Sequence, residues 1–93
     1  MESAGQAGSA TVSEPFYRRI ISDIRGRIAS GQYPPGERLP TTERLRDQYR
    51  AQFDSPSLTN ATVRHAVSLL IELGELRGQQ GLGVFVPGVK APD

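Results

Sequence analysis

The stretch Thr59-Asn60-Ala61-Thr62-Val63-Arg64-His65-Ala66-Val67-Ser68-Leu69-Leu70 constrains this chain more than any other. Helical spacing puts Val63, Ala66, Val67 and Leu70 on one apolar stripe. Ala61, Arg64, His65 and Ser68 recur on the opposite side, with Asn60 beside them. Thr59 suits the N-cap, because its hydroxyl accepts from the free amides of the first turn. Gly74 suits the position just past the helix end. Such a helix must bury Val63 and Val67 against other elements and leave Arg64 outside. Its exposed stripe is small at the start, then cationic and rich in hydrogen-bonding groups. Small residues admit a duplex, and an arginine and an amide meet phosphates or base edges. An ordinary amphipathic surface helix shares the pattern, so the neighbouring segments decide between the two.

Upstream, Phe16, Ile20, Ile24 and Ile28 repeat every four residues, joined by Ile21. Arg18, Arg19, Arg25 and Arg27 fall mostly on the other side, as a solvated face. The spacing predicts a first helix near 15–30, with Pro15 suited to its first turn and Ser30-Gly31 ending it. Gly26 inside it costs about 1 kcal/mol relative to alanine. Tyr33-Pro34-Pro35-Gly36 must turn, and Arg38-Leu39-Pro40 leaves room only for a very short extended segment. A second helix near 42–53 is capped by Thr41 or Thr42, with Glu43 favourable in its first turn. Leu45, Tyr49 and Phe53 form its buried edge. Asp54-Ser55-Pro56-Ser57 breaks it, and the third helix runs near 60–73.

After Gly74 the pattern changes. Leu76, Val84 and Val86 mark two short strands around a glycine-rich tip, a hairpin near 75–86. The expected core is Ile20, Ile24, Ile28, Leu45, Tyr49, Val63, Val67, Leu70 and Phe85. Residues 1–13, rich in Gly, Ala and Ser without an apolar period, read as a disordered arm. Residues 14–87 read as one domain, and 88–93 as the start of a linker.

Composition removes several classes of function. There is no cysteine, so neither a disulfide framework nor a thiolate metal site is available. The single histidine has no carboxylates arranged around it, and no nucleophile–base pair stands out, so neither a cofactor nor an enzyme is expected. No apolar run is long enough for a bilayer and no signal-peptide pattern opens the chain, which predicts a cytoplasmic protein without membrane contact. The net charge is only +1. Between Pro15 and Lys90, however, eleven basic residues face seven acidic ones, giving +4, and ten of the eleven are arginine. Arginine suits forked contacts with phosphate and guanine, so the distribution permits nucleic-acid binding. The glycine run at 78–83 lacks the Gly-Lys-Ser/Thr ending of a phosphate-binding loop and leads into a strand. Asn60-Ala61-Thr62 matches a glycosylation acceptor by chance.

Three helices followed by a β-hairpin describe an α+β, mainly α, winged helix-turn-helix. The chain resembles the GntR-type bacterial transcription regulators in three separate motifs that occur in the right order. The first is Gly31-Gln32-Tyr33-Pro34-Pro35-Gly36-Glu37-Arg38-Leu39-Pro40. The second is Ala61-Thr62-Val63-Arg64-His65-Ala66-Val67 with Leu70, continuing through Glu72-Leu73-Gly74-Glu75-Leu76. The third is Gln80-Gly81-Leu82-Gly83-Val84-Phe85-Val86. The resemblance covers about residues 15–87.

Three departures stand out. The Ser-Glu-Arg-Glu-like run that usually opens helix two is Thr41-Thr42-Glu43-Arg44 here, so Glu43 replaces an arginine while Arg44 and Arg46 sit nearby. The usual Ser-Arg or Thr-Arg opening the recognition helix is Thr59-Asn60. The turn between helices two and three is enlarged by about seven residues, 51–57, and is expected to be mobile and away from the base edges.

The resemblance implies that Thr59, Asn60, Ala61, Thr62 and Arg64 face DNA, with Arg64 the principal cation. Arg44, Ser68 and His65 border them, although His65 reads equally as an ordinary solvent-facing histidine. Gln80 and Gly81 would lie at a wing tip that enters or skirts the minor groove. The implied function is a sequence-specific, double-stranded-DNA-binding transcriptional regulator, a repressor released by a small ligand. The implied partners are an operator of two half-sites, a second copy of the full-length chain, and an effector held by a C-terminal domain beyond this sequence. The alternative is a winged-helix module for protein–protein contact.

Overall fold

The computed structural model describes residues 15–88, so both expected arms lie almost wholly outside the described residues. Three helices, α1 (Phe16–Ala29), α2 (Thr42–Gln52) and α3 (Asn60–Glu72), precede strands β1 (Arg77–Gln79) and β2 (Gly83–Phe85). The expected order and element types are all present, and the strands are shorter than the sequence suggests.

Each helix ends on a residue with positive φ. Gly31 and Gly74 take φ 86° and 79° after α1 and α3, where glycine carries no side-chain penalty. After α2 the same place is held by Asp54 at φ 53°. The Asp54 N–H donates to the Ala51 carbonyl at 3.3 Å, and the Ser55 N–H to the Arg50 carbonyl at 2.9 Å. These two bonds make a Schellman cap, and aspartate is among the few side chains that tolerate the left-handed region.

The enlarged turn is therefore packed. Phe53 stacks on Tyr49 with centroids 5.3 Å apart and on Phe16 at 6.0 Å. Leu58 is 2% exposed, and its carbonyl accepts from Arg50 Nε at 2.7 Å. The expected break after Phe53 is present, with α2 ending at Gln52, and the turn that follows is anchored at Phe53 and Leu58. Periodicity could not show it, because a capping aspartate and one buried leucine leave no repeating pattern.

The core gathers Ile20 and Ile24 from α1, Leu45 and Tyr49 from α2, and Val63, Ala66, Val67 and Leu70 from α3. Tyr33, Leu39, Leu58, Leu76 and Val86 join it from the connections and the hairpin. Two expected members differ. Ile28 packs against the core but is only partly buried. A four-residue step overshoots a helical turn by about 40°, so the Ile20–Ile24–Ile28 line rotates away from the centre. Phe85 is half-buried and faces the other side of its strand from Val84 and Val86. Strand side chains alternate, so the face that carries Val86 into the core is not the one that carries Phe85.

The hairpin pairs Arg77 with Phe85, Gly78 with Val84 and Gln79 with Gly83, antiparallel. On its other edge β2 meets the short segment after α1. Leu39 N–H donates to the Val84 carbonyl at 2.8 Å and Val86 N–H to the Glu37 carbonyl at 2.9 Å. Gly36 permits this return: the turn is closed by Glu37 N–H to the Pro34 carbonyl at 3.0 Å, with Gly36 at φ 85°. A proline followed by such a glycine is the type II arrangement.

One polar group ties α1 to α2. Asp23 accepts from Arg27 Nε at 2.6 Å, from the buried Tyr49 hydroxyl at 2.7 Å and from Gln52 Nε2 at 2.9 Å. Burial by itself raises the Asp23 pKa, but the bonds from Arg27, Tyr49 and Gln52 outweigh it and hold the carboxyl below its ordinary value. Burial, then the bond to Asp23, pushes the Tyr49 phenol up.

Candidate nucleic-acid interface

The face that α3 presents is set by what it buries. Val63, Ala66, Val67 and Leu70 are enclosed, which turns Ala61, Arg64, His65 and Ser68 to the exposed side. Thr59 caps the helix as expected, accepting from the Thr62 N–H at 3.3 Å. The Thr59 and Thr62 hydroxyls also lie 3.3 Å apart. One donates to the other, so the pair keeps a single free O–H for an outside acceptor. The remaining free amides at the helix start favour an anion there.

Two further contacts specify this surface. Asn60 is half-buried, and its Oδ1 accepts from Arg46 NH1 of α2 at 3.2 Å. His65 packs edge-on against Tyr17 of α1, with centroids 4.6 Å apart. It is exposed, yet its ring belongs to the α1–α3 seam.

The arginines sort by whether the fold already uses them. Arg25 pairs with Glu75, Arg27 with Asp23 and Arg46 with Asp47. Arg50 holds the Leu58 carbonyl, and Arg19 lies over the Phe53 ring at 4.2 Å. Arg38, Arg44, Arg64 and Arg77 make no side-chain ion pair or hydrogen bond among the described residues. Cations left exposed without partners cost little in water and remain available to phosphate. They lie before α2, in its first turn, on the exposed stripe of α3 and in β1.

In the wing, Gln80 and Gly81 occupy the exposed turn, closed by Leu82 N–H to the Gln79 carbonyl at 2.9 Å. Leu82 is 60% exposed beside them. Gly83 has φ 120°, and a Cβ there would lie 2.9 Å from Arg38 Nε. The Arg38 side chain thus rests on the wing against Gly83, whose positive φ disfavours any other residue there. A cleft of about 120 Å³ joins the start of α2, Val67 of α3 and Gly83 of β2, with Arg38 on its wall.

The sequence-derived residues accordingly occupy three places: the start and stripe of α3, the first turn of α2 (Arg44) and the wing turn (Gln80, Gly81). Arg38, Arg77 and Tyr17 were not among them. Arg46 enters the sequence reading only as a neighbour of Glu43. Their roles depend on which groups meet across elements, and no periodic signal carries that. Among the described residues, no group of three or more His, Cys, Asp or Glu side chains could hold a metal ion. No described helix is long and apolar enough to cross a membrane.

Residues 16–86 match the family model described as bacterial regulatory proteins, gntR family. The mannosyl-D-glycerate transport/metabolism system repressor MngR of Escherichia coli (strain K12) is 36% identical over 73 residues, which is 78% of this chain and 28% of that protein. The arabinose metabolism transcriptional repressor of Geobacillus stearothermophilus is 35% identical over 72 residues, 77% of this chain and 18% of that protein. The chain therefore spans less than a third of the length of these relatives. Among solved structures, AraR(DBD) in complex with operator ORR3 matches with a TM-score of 0.64 and 30% identity, covering 77% of this chain and 78% of that one.

Proposed function

The chain belongs to the gntR family of bacterial regulatory proteins, and from that premise we propose that it is the operator-reading winged helix-turn-helix of a transcriptional repressor. The observation that carries the reading is Arg64: exposed, unpartnered among the described residues, and held outward by buried Val63 and Val67. In a helix-turn-helix the second helix of the motif lies in the major groove and its N-terminal residues meet the base edges. Here that helix is α3. Asn60, Ala61 and Arg64 meet the bases, while Thr59, Thr62 and Arg44 hold phosphates. Ser68 and His65 border the contact. Gln80 and Gly81 bring the wing to the adjacent minor groove.

The names of these relatives, both repressors, support the repressor direction. Their greater length supports assigning dimerisation and binding of a small releasing ligand to a further domain of the whole protein, acting in the cytoplasm. No catalytic step is assigned.

Duplex binding as a function of salt tests the reading. Counterion release by several arginines gives a linear fall of log affinity with log salt, at about 0.9 unit per phosphate neutralised. A chain that binds no duplex at low salt is not an operator-reading module.

A further inference from the structure

We propose that Arg46 of α2 and Asn60 of α3 act as one reading head at the start of α3, selective for a guanine edge. This rests on the operator-binding reading above and adds a specificity residue that lies outside the recognition helix.

Arg46 NH1 donates to Asn60 Oδ1 at 3.2 Å. Arg46 Nε and NH2 both donate to Asp47 Oδ1, at 3.1 and 3.0 Å. A guanidinium carries five N–H donors. Three are committed, and one N–H remains on each terminal nitrogen. Two donors side by side are what the O6 and N7 acceptors of guanine take in the major groove.

Asn60 is changed by the same contact. A free asparagine amide suits adenine, accepting from N6 and donating to N7. Here Oδ1 is held by Arg46, whose side chain can only donate, so the amide cannot turn over without setting N–H against N–H. What Asn60 keeps uncommitted is its NH₂ group. Arg46 and Asn60 together therefore offer donors, and an adenine N6 donor approaching them meets like charge.

Asp47 decides against phosphate as the target. Its carboxylate, on a side chain 64% exposed, sits against the guanidinium and offsets its charge. A phosphate brought to Arg46 would be repelled by Asp47, whereas a neutral base edge would not. The two bonds to Asp47 also fix the guanidinium before DNA arrives, which lowers the ordering cost of binding. The head is accessible: the Arg46 side chain is 25% exposed, and Asn60 lies one turn before Arg64 on the same helix line.

The test is selection of bound duplexes from a random pool by the immobilised chain, followed by titration of the recovered site at two salt concentrations. The unchanged chain should recover a site in which replacing one guanine by 7-deazaguanine, which lacks the N7 acceptor, weakens binding about fivefold or more. Arg46→Ala should lose that guanine preference and that sensitivity, with its salt slope unchanged and its circular dichroism intact. Arg46→Lys should lose them too, since it keeps the charge without the fork. The double variant Arg46→Ala, Asn60→Ala should bind within about twofold of Arg46→Ala, because the two groups act as a unit. Recovery of the same guanine with the same sensitivity by Arg46→Ala overturns the inference. So does equal weakening on all duplexes with a salt slope lowered by about one unit, which marks a phosphate contact. If the unchanged chain enriches no duplex, the operator-binding reading falls with it; if it enriches a site that Arg46→Ala reproduces, only this inference falls.

Discussion

Arg64 and Asp23 represent two uses of a charged side chain, one left for a ligand and one consumed by the fold. Removing Arg64 takes away only an exposed group, so Arg64→Ala should fold normally and bind duplex more weakly. The loss should be about 1–3 kcal/mol with specificity relaxed at one position, as for a forked base contact. Titration of operator and scrambled duplexes checks this, and unchanged binding would remove α3 as the reading element. Asp23 works through its depressed pKa. A carboxyl whose folded pKa lies below its unfolded value stabilises the fold above the unfolded pKa, and the effect is lost as pH falls through the folded pKa. The native chain should therefore lose stability as pH drops from about 5 toward the depressed Asp23 pKa. Asp23→Asn should be less stable at neutral pH by about 1–3 kcal/mol, since the buried Tyr49 hydroxyl and Arg27 lose a charged acceptor. It should also show a flatter acid limb in urea melts from pH 7 to 3, and an equally steep limb would acquit Asp23.

At the scale of elements, the α2–α3 connection behaves as part of the core. Leu58 is buried in the core and Phe53 stacks on Phe16 of α1, while Asp54 turns the chain and Arg50 holds the Leu58 carbonyl. Leu58→Ala should cost about 2–5 kcal/mol, the range for emptying an enclosed leucine site. Thermal or denaturant unfolding measures it. A loss below about 0.5 kcal/mol would mean that the turn is loose after all. The placing of Thr59, and hence the start of α3, depends on this turn. Leu58→Ala should accordingly weaken duplex binding even under conditions where the variant is fully folded.

For the molecule as a whole, the described residues present one α3 and one wing. Dimeric helix-turn-helix proteins join two half-sites about one helical turn apart. The chain by itself should bind weakly and with strong salt sensitivity. Two copies joined by a linker that spans the half-sites should bind about 10²–10⁴ times more tightly, through effective concentration and without any new contact. Comparing the single and joined chains on one palindromic duplex at fixed salt decides it. Equal affinity would show that one copy makes the whole contact.

The sequence by itself determined the three helices, the hairpin and the exposed side of α3, because repeating burial writes a period of 3.6 or 2 into the residues. Val63, Val67 and Leu70 could be assigned to the core, and Arg64 to solvent, from spacing alone. The motif residues Gly31 and Pro34-Pro35-Gly36 likewise marked turns through conformations that few other residues accept. Tertiary structure decided what has no period. It chose Val86 over Phe85 by the register of a three-residue strand, packed Leu58 under an aspartate-capped turn, and set His65 against Tyr17. It also separated the arginines that the fold consumes from those it leaves free, and joined Arg46 to Asn60 across fourteen residues of sequence. Charge and hydrogen-bonding capacity are readable residue by residue, but partnership is not: a guanidinium is spent or spare according to which element folds beside it.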